Sequence, residues 1–369
     1  MAENDRNNPD TNEGTIEVTC MSKSPKPGYT GQRIDTGDEW YELFQKGVEL
    51  GTWNVEKLFD EIGFERDRES WQSLEPRERD QIRYLLSGFL DGETEVAGDA
   101  ATNLSRVMGA DCLEDNTQKE MFMTMLTLTE HKHTQFIDIY MNEVMRGQDN
   151  YTELDPREGT RIPIVQATGL GEVFERQGLL TAKAAQTHDP VDIARAATNY
   201  HLNVEGVLAR VGAGAISRFP ERADFPLLNY AFKFISTDEG RHITHGVELL
   251  KELLEKERAG EPRFQGVEEG IVDTLYKDIP YMADFGYMFT DAVDDPLELD
   301  IDRVLLRGSN LIDGMYNETL GCDVDYRRVM DVVGDRYDEI WEWDIDSRLD
   351  DQQAHYRRKR SIATDGGDG

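Results

Sequence analysis

Cysteine is scarce in this chain of 369 residues, which contains only Cys20, Cys112 and Cys322. The three are odd in number, widely separated along the chain and form no Cys-x-x-Cys pair. This pattern excludes a disulfide framework and a zinc site built from paired cysteines. We therefore expect a protein of the reducing cytoplasm.

Positive charge and long apolar runs are also lacking. Lys and Arg total 40 against 74 Asp and Glu, a net charge of −34, and only 12 of the basic residues are Lys. So acidic a surface would repel phosphates, which argues against binding to nucleic acid or to an anionic membrane. We interpret the charge as halophilic adaptation, because high salt screens it; a dedicated cationic partner is the alternative.

A membrane span is not predicted. No stretch approaches the roughly 18 consecutive apolar residues that a span needs. The N-terminal sequence MAENDRNNPD has no basic segment followed by an apolar one, so it does not resemble a secretory signal.

Alternating strand-like patterns are scarce, and helical periodicity dominates. Residues 1–35 are polar and predicted to form a disordered arm, and residues 351–369 are predicted to form a flexible tail. Residues 36–350 are predicted to form one all-α, ferritin-like helical bundle with a four-helix core and additional helices. The core helices are expected at about 77–104, 116–145, 190–216 and 226–257, and the others near 167–187, 265–291 and 299–318.

Two Glu-x-x-His pairs stand out on the predicted core helices. Residues three apart share a helix face, so each pair can direct a carboxylate and an imidazole to one point. A single Glu in an apolar setting precedes each pair, which suggests two structurally similar halves. Two single Glu and two such pairs from four helices are the ligand set of a ferritin-like dinuclear carboxylate site. The predicted metal ligands are Glu93, Glu130 and His133 in the first half and Glu205, Glu239 and His242 in the second.

The donor types indicate which metals the site would take. Two divalent ions would neutralise the four carboxylates, whereas burying these groups unpaired would be very costly. Mixed imidazole and carboxylate ligation suits iron and manganese, which activate dioxygen; zinc prefers fewer, tetrahedral ligands. The alternative is that each pair lies by chance on a solvated helix face. The apolar sequences around Glu130 and Glu205 argue against it.

Neighbouring polar residues divide into those that face the site and those that do not. Glu95, two positions after the Glu93 ligand, falls on the opposite side of its helix, and His131 is expected to be exposed. His245 shares a face with the second His ligand; it is expected either to support a metal ligand from outside or simply to pack in the core. Asp238 is expected to accept a hydrogen bond from a ligand His and fix its tautomer; an ordinary surface charge is the alternative.

Several of these motifs resemble a known family. Asp238-Glu-Gly-Arg-His242 and Glu130-x-x-His133 resemble the small subunit of ribonucleotide reductase. Tyr200-His-Leu-Asn-Val-Glu205 and the region from Leu43 to Trp53 are more similar to its relatives, the ligand-binding oxidases that assemble a mixed manganese–iron site. The resemblance covers about residues 40–320. It implies a dioxygen-activating oxidase and a homodimer, with manganese in the first half and iron in the second, or a di-iron pair.

The resemblance also implies two finer features. An ether bond would join Val96, three positions after the first Glu ligand, to Tyr200, five positions before the third. A long-chain fatty acid would bind with its carboxylate on the metals and its chain in an apolar channel. Candidate lining residues of that channel are Val204, Val207, Leu208 and Phe234.

Departures from the family leave an alternative function open. The reductase small subunit usually has a radical Tyr four residues after its first His ligand, where this chain has Ile137. Its tail carries apolar residues and a relay Tyr, whereas Tyr356 is the only aromatic residue near this chain's end. Several of the oxidases have a Tyr where this chain has Ala213. An oxidase is predicted, with a ribonucleoside-diphosphate reductase beta subunit as the alternative; nothing indicates a metal-storage cage.

Overall fold

The computed structural model describes residues 34–114, 116–145, 170–216, 224–291, 301–325, 327–329 and 331–334, and every regular element in this part of the chain is helical. The all-α prediction is therefore confirmed. Most of the predicted arm, the connection between the two halves and the predicted tail lie outside the described residues, so those domain boundaries stay predictions. None of the described helices is long and apolar enough to cross a membrane.

The first half of the chain begins with three short helices, α1 (Glu39–Leu50), α2 (Val55–Ile62) and α3 (Glu65–Ser73). Two long helical rods follow. One consists of α4 (Pro76–Glu95), a first π segment (Val96–Ala100) and α5 (Ala101–Val107), and the other is α6 (Asn116–Val144).

The second half begins with an added helix, α7 (Leu170–Thr187), and then contains two long helical rods like those of the first half. One rod consists of α8 (Pro190–Ala197), a second π segment (Thr198–Ala209) and α9 (Arg210–Ile216), and the other is α10 (Pro226–Arg258). A 3₁₀ turn (Pro262–Phe264), α11 (Val267–Asp291), α12 (Ile301–Ile312) and a third π segment (Asp313–Thr319) complete the described helices.

The four predicted core helices agree with these rods to within a few residues, whereas α2, α3 and the π segments were not predicted. Helix α3 has the sequence ERDRESWQS and buries only Asp67, Ser70 and Trp71, so its apolar periodicity is weak. A π segment inserts one extra residue into a helical turn, and local hydrophobic spacing does not mark the place. Glu93 lies just before the first π segment and Glu205 lies within the second.

The N-terminus of α10 is capped by a residue from a distant part of the chain. The carboxylate of Asp67 accepts hydrogen bonds from the backbone N–H groups of Leu227 and Leu228, each at 3.1 Å, and from the Tyr140 hydroxyl at 2.8 Å. Asp67 is completely buried. The contact ties α3 and α6 to the start of the helix that carries Glu239 and His242.

A second buried carboxylate holds the second π segment against its neighbours. Asp278 of α11 is completely buried and accepts hydrogen bonds from Arg176 Nε at 2.7 Å and from Asn199 Nδ2 and Asn203 Nδ2, each at 2.8 Å. The Tyr316 hydroxyl donates to Asn203 Oδ1 at 2.5 Å. This network joins four helical elements around the segment that presents Glu205.

Replacing Asp278 should therefore destabilise the fold strongly. We expect Asp278→Leu to lower the free energy of unfolding by about 3 kcal/mol, because it leaves buried donors and a half-buried guanidinium without a partner. Asp273→Ala on the same helix is the matched control, since Asp273 is partly exposed and pairs with Lys277 at 2.7 Å and with Arg195 at 3.9 Å, and should cost less than about 1 kcal/mol. Chemical denaturation measures both; equal losses for the two variants would contradict the assignment.

Candidate metal centre

The six predicted ligand side chains converge where α4, α6, the second π segment and α10 meet. All six are buried. Their donor atoms form two overlapping groups, each with all atoms within 4.8 Å of one another. One group is Glu93, Glu130, His133 and Glu239, and the other is Glu130, Glu205, Glu239 and His242. Glu130 and Glu239 belong to both groups, so they are placed to bridge two ions.

In the first half, His133 directs its Nδ1 atom into the cluster. This atom lies 3.3 Å from Glu93 Oε2, 3.6 Å from Glu130 Oε2 and 3.2 Å from Glu239 Oε1. Its Nε2 atom points the other way and lies 3.2 Å from Asp238 Oδ2. Nδ1 is thus the nitrogen available to a cation, and Nε2 orients the ring.

In the second half, His242 is oriented in the same way with a different partner. Its Nδ1 atom lies 2.7 Å from Glu130 Oε1, 3.2 Å from Glu205 Oε1 and 3.7 Å from Glu239 Oε2. Its Nε2 atom lies 2.9 Å from the hydroxyl of Thr129. The hydroxyl of Thr129, which the sequence reasoning missed, therefore takes the place that Asp238 takes in the first half.

Asp238 is held on its outer side by two further residues. Trp53 Nε1 donates to Asp238 Oδ2 at 2.8 Å, and the guanidinium of Arg241 forms an ion pair with Asp238 Oδ1. Burial raises the pKa of Asp238, but hydrogen bonds from His133 and Trp53 and the charges of His133 and Arg241 outweigh burial and lower it. Asp238 is therefore ionised and lies where it can orient the ring of His133.

The cluster attracts positive charge strongly. Burial and the neighbouring Glu130 and Glu239 raise the pKa of Glu93 well above its usual range. Burial disfavours the charged forms of His133 and His242, yet the surrounding carboxylates raise the pKa of both imidazoles well above normal. Burial raises the pKa of Glu130 as well, but the two imidazoles lower it well below normal. Protons on the imidazoles or metal cations can balance these carboxylates.

The donor set and its geometry fit two divalent ions. His242 Nδ1 and Glu205 Oε1 are buried and 3.2 Å apart, yet neither has a hydrogen-bond partner with acceptable geometry. Buried polar atoms without a partner are rare in proteins and indicate a missing water or ion. Imidazole nitrogen with carboxylate oxygen is a donor set that suits manganese and iron.

An apolar pocket of about 60 Å³ opens beside the cluster. Glu93, Val96, Glu130, Glu205 and Glu239 lie along it at the cluster, and the remaining lining residues are Gly88, Phe89, Gly92, Leu170, Phe174, Val204, Leu208, Ala209 and Gly212. The pocket is thus a candidate binding site that ends on the ligand carboxylates.

Val96 and Tyr200 lie on two different rods, Val96 in the pocket wall and Tyr200 against a ligand carboxylate. Val96 is buried and lines the pocket. Tyr200 is completely buried, and its hydroxyl donates to Glu130 Oε1 at 3.4 Å. Burial and the charges of Glu130 and Glu205 raise the pKa of Tyr200 well above normal, so its phenol is protonated.

Two of the four residues proposed to line an apolar channel lie in the pocket wall. Among the proposed channel residues, Val204 and Leu208 line the pocket, whereas Val207 and Phe234 are not among its described lining residues; Phe234 stacks on Trp53 with ring centroids 5.4 Å apart. Glu95 and His131 are exposed, as expected from their helix faces.

Two buried imidazoles lie next to the second half of the cluster. His245 stacks on the ring of Phe122 with centroids 4.6 Å apart and packs near the ring of His201. His201 Nδ1 lies 2.9 Å from Glu205 Oε2. The sequence reasoning missed His201, although it lies one helical turn before Glu205 in a largely apolar segment, which is the signal that could have identified it.

No protein-family model matches the chain, but solved structures share its fold. One is an R2-like ligand-binding oxidase from Sulfolobus acidocaldarius, with a TM-score of 0.61, 21% identity and coverage of 80% of this chain and 95% of that chain. Another is a variant of R2-like ligand-binding oxidase with an anaerobically reconstituted Mn/Fe cofactor, with a TM-score of 0.62, 20% identity and coverage of 75% and 93%. The chain therefore has the ferritin-like fold that these oxidases share.

Removing one buried carboxylate should stabilise the metal-free protein. We expect Glu93→Gln to raise its free energy of unfolding by about 1 kcal/mol or more, because each unit of raised pKa corresponds to about 1.4 kcal/mol of unfavourable ionisation. Glu95→Gln, on the exposed side of the same helix, should change stability by less than about 0.5 kcal/mol. Thermal unfolding after metal removal measures both. A Glu93→Gln variant less stable than the wild type would contradict repulsion among the buried carboxylates.

Proposed function

We propose that the chain is a dioxygen-activating, dinuclear Mn/Fe carboxylate oxidase. The observation that carries the proposal is the pair of overlapping ligand groups, buried together and joined by Glu130 and Glu239. The fold shared with R2-like ligand-binding oxidases supports an oxidoreductase. The apolar pocket that ends on the cluster supports an enzyme with an apolar ligand rather than a metal store.

Each half of the site would hold one ion. Glu93, Glu130 and His133 would bind the first metal, and Glu205, Glu239 and His242 the second, with Glu130 and Glu239 bridging. By similarity to the family, manganese is assigned to the first half and iron to the second; a di-iron pair is the alternative. When bound, the two ions would supply a place for dioxygen to bind and part of the electrons that reduce it.

The surrounding residues orient the ligands and exclude water. Asp238 and Thr129 contact the outer nitrogens of His133 and His242, so both rings would present Nδ1 to bound metals. Such partners typically contribute about 10- to 100-fold in metal affinity or activity. The apolar pocket wall keeps the reacting atoms dry, which protects a strong oxidant from side reactions.

Val96 and Tyr200 are the proposed partners of an ether cross-link. Forming a bond between the Val96 Cβ atom and the Tyr200 oxygen removes one hydrogen from each residue, which is a two-electron oxidation with dioxygen as the oxidant. Complete reduction of dioxygen to water takes four electrons, so each divalent metal would supply one of the remaining two. The burial of Val96 in the pocket wall and the hydrogen bond from Tyr200 to Glu130 support this assignment.

The pocket is proposed to bind a long-chain fatty acid. Its walls are apolar, and four ligand carboxylates lie at the cluster. A fatty-acid carboxylate would be repelled by these groups unless cations stood between them, so binding should depend on the metals. Native mass spectrometry should show a retained acid in the metal-loaded protein only, and an acid bound equally well after metal removal would contradict this assignment.

Metal analysis tests the dinuclear site. After anaerobic loading with Mn(II) and Fe(II) followed by exposure to air, we expect about two metal ions per chain, as the two ligand groups require. Glu130→Ala should lose most of both ions, because this carboxylate belongs to both groups, whereas Glu95→Ala should keep them. Less than about one ion per chain, or zinc alone, would exclude the proposed site.

Peptide mapping tests the cross-link. After aerobic reconstitution, the segments that contain Val96 and Tyr200 should appear as one species, about 2 Da lighter than their sum because two hydrogens are lost. Tyr200→Phe should abolish this species and keep the metals, since the phenol oxygen is the linking atom and not a proposed ligand. Two separate, unmodified peptides after complete turnover would argue against the oxidase.

The ribonucleoside-diphosphate reductase beta subunit is the alternative function, because it shares the predicted ligand motifs. Position 137, where the reductase usually has a radical Tyr, is a buried Ile, which favours the oxidase. A pull-down in high salt for a nucleotide-reducing partner discriminates between the two. The homodimer, the cytoplasmic location and the halophilic character stay predictions from the sequence.

A further inference from the structure

The two halves of the candidate metal centre have similar helix arrangements but differ in the residue that lies four positions before the single Glu. Four residues before Glu93 stands Phe89, and four residues before Glu205 stands His201. Residues four apart lie on the same helix face, so each side chain lies next to its Glu. Phe89 offers no polar atom and packs edge-on against Phe232, with ring centroids 5.3 Å apart.

His201 engages one carboxylate oxygen of Glu205. Its Nδ1 atom lies 2.9 Å from Glu205 Oε2, while Glu205 Oε1 faces His242 Nδ1 at 3.2 Å. Oε1 has no hydrogen-bond partner with acceptable geometry. The carboxylate is therefore turned so that one oxygen faces the cluster and the other is held by an imidazole outside it.

Among the residues that the structure describes, none restrains Glu93 in this way. Within the described part of the chain, its hydrogen bond is to His133, which is itself a predicted ligand. Both of its oxygens are consequently available to a cation in the first half of the site.

The ring of His201 is fixed by close packing. His201 is completely buried, and its ring lies 4.4 Å from that of Tyr200 and 5.2 Å from that of His245, measured between centroids. A Cβ atom on Gly246 of α10 would lie 2.1 Å from the Cβ atom of His201. Only glycine at position 246 leaves room for His201 where it is.

We propose that His201 is a positioning residue that keeps Glu205 Oε2 away from the second metal, so that Glu205 binds this metal through Oε1 alone while Glu93 can bind the first through both oxygens. This inference rests on the proposed dinuclear site. The half with more oxygen donors suits manganese, and the half with relatively more imidazole character suits iron. His201 is thus a determinant of which metal occupies which half.

The test compares wild-type protein with His201→Phe, which copies Phe89, and with His201→Gln, whose amide can still donate to Glu205. Each protein is loaded anaerobically with equal Mn(II) and Fe(II) and crystallised, and anomalous scattering at both metal edges identifies the metal in each half. Glu205 should bind through one oxygen in wild type and His201→Gln and through two in His201→Phe. The Mn:Fe ratio in the second half should rise on the order of three- to tenfold in His201→Phe, the effect expected of one hydrogen bond.

A second pair of variants leaves the imidazole in place. Gly246→Ala should push His201 away from Glu205 and shift the Mn:Fe ratio in the same direction as His201→Phe. Gly240→Ala on the same helix is the control, because a Cβ atom there meets no atom within 4 Å, and should match wild type. Circular dichroism of each variant verifies that it folds.

The outcomes separate this inference from the proposed function. Wild-type protein that binds no manganese or iron overturns both. Metal-loaded wild type in which both oxygens of Glu205 contact the second metal overturns the role of His201 alone. If Glu205 still binds through one oxygen in His201→Phe and the Mn:Fe ratio is unchanged, the role of His201 is likewise overturned while the proposed function stands.

Discussion

The burial of four carboxylates at one point is the constraint on which the rest of this structure depends. Each costs free energy to desolvate, and together they repel one another. His133 and His242 offset part of this cost, because the carboxylates raise the pKa of both imidazoles and so favour their positively charged forms. Two divalent cations would neutralise all four carboxylates. The electrostatic repulsion that destabilises the metal-free helix bundle therefore favours metal binding.

Other buried polar contacts hold the helices in place against that repulsion. Asp67 caps α10 from a distant part of the chain, and Asp278 joins four helical elements around the second π segment. Lys119 of α6 is completely buried, pairs with Glu252 of α10 and lies over the ring of Trp40 of α1 at 4.6 Å. These contacts lie away from the cluster, so they fix its geometry without adding to its charge.

The two halves share their ligand types but not their surroundings. In the first half a charged side chain, Asp238, orients the ligand His, and in the second half the hydroxyl of Thr129 does so. Glu93 has an apolar neighbour one turn earlier, whereas Glu205 has His201. A symmetrical set of candidate ligands with asymmetrical neighbours would give two bound ions different environments, as a site for two different metals requires.

The sequence by itself determined the helical class, the long core helices and the six side chains that meet. It could do so because a Glu-x-x-His pair and an apolar helix face are local patterns with a period close to 3.6 residues. Only the tertiary structure decided which oxygens face inward, that Trp53 reaches Asp238 across 185 positions, and that Gly246 makes room for His201. These contacts join residues whose separation along the chain carries no periodic signal, because packing between helices, and not spacing within one, brings them together.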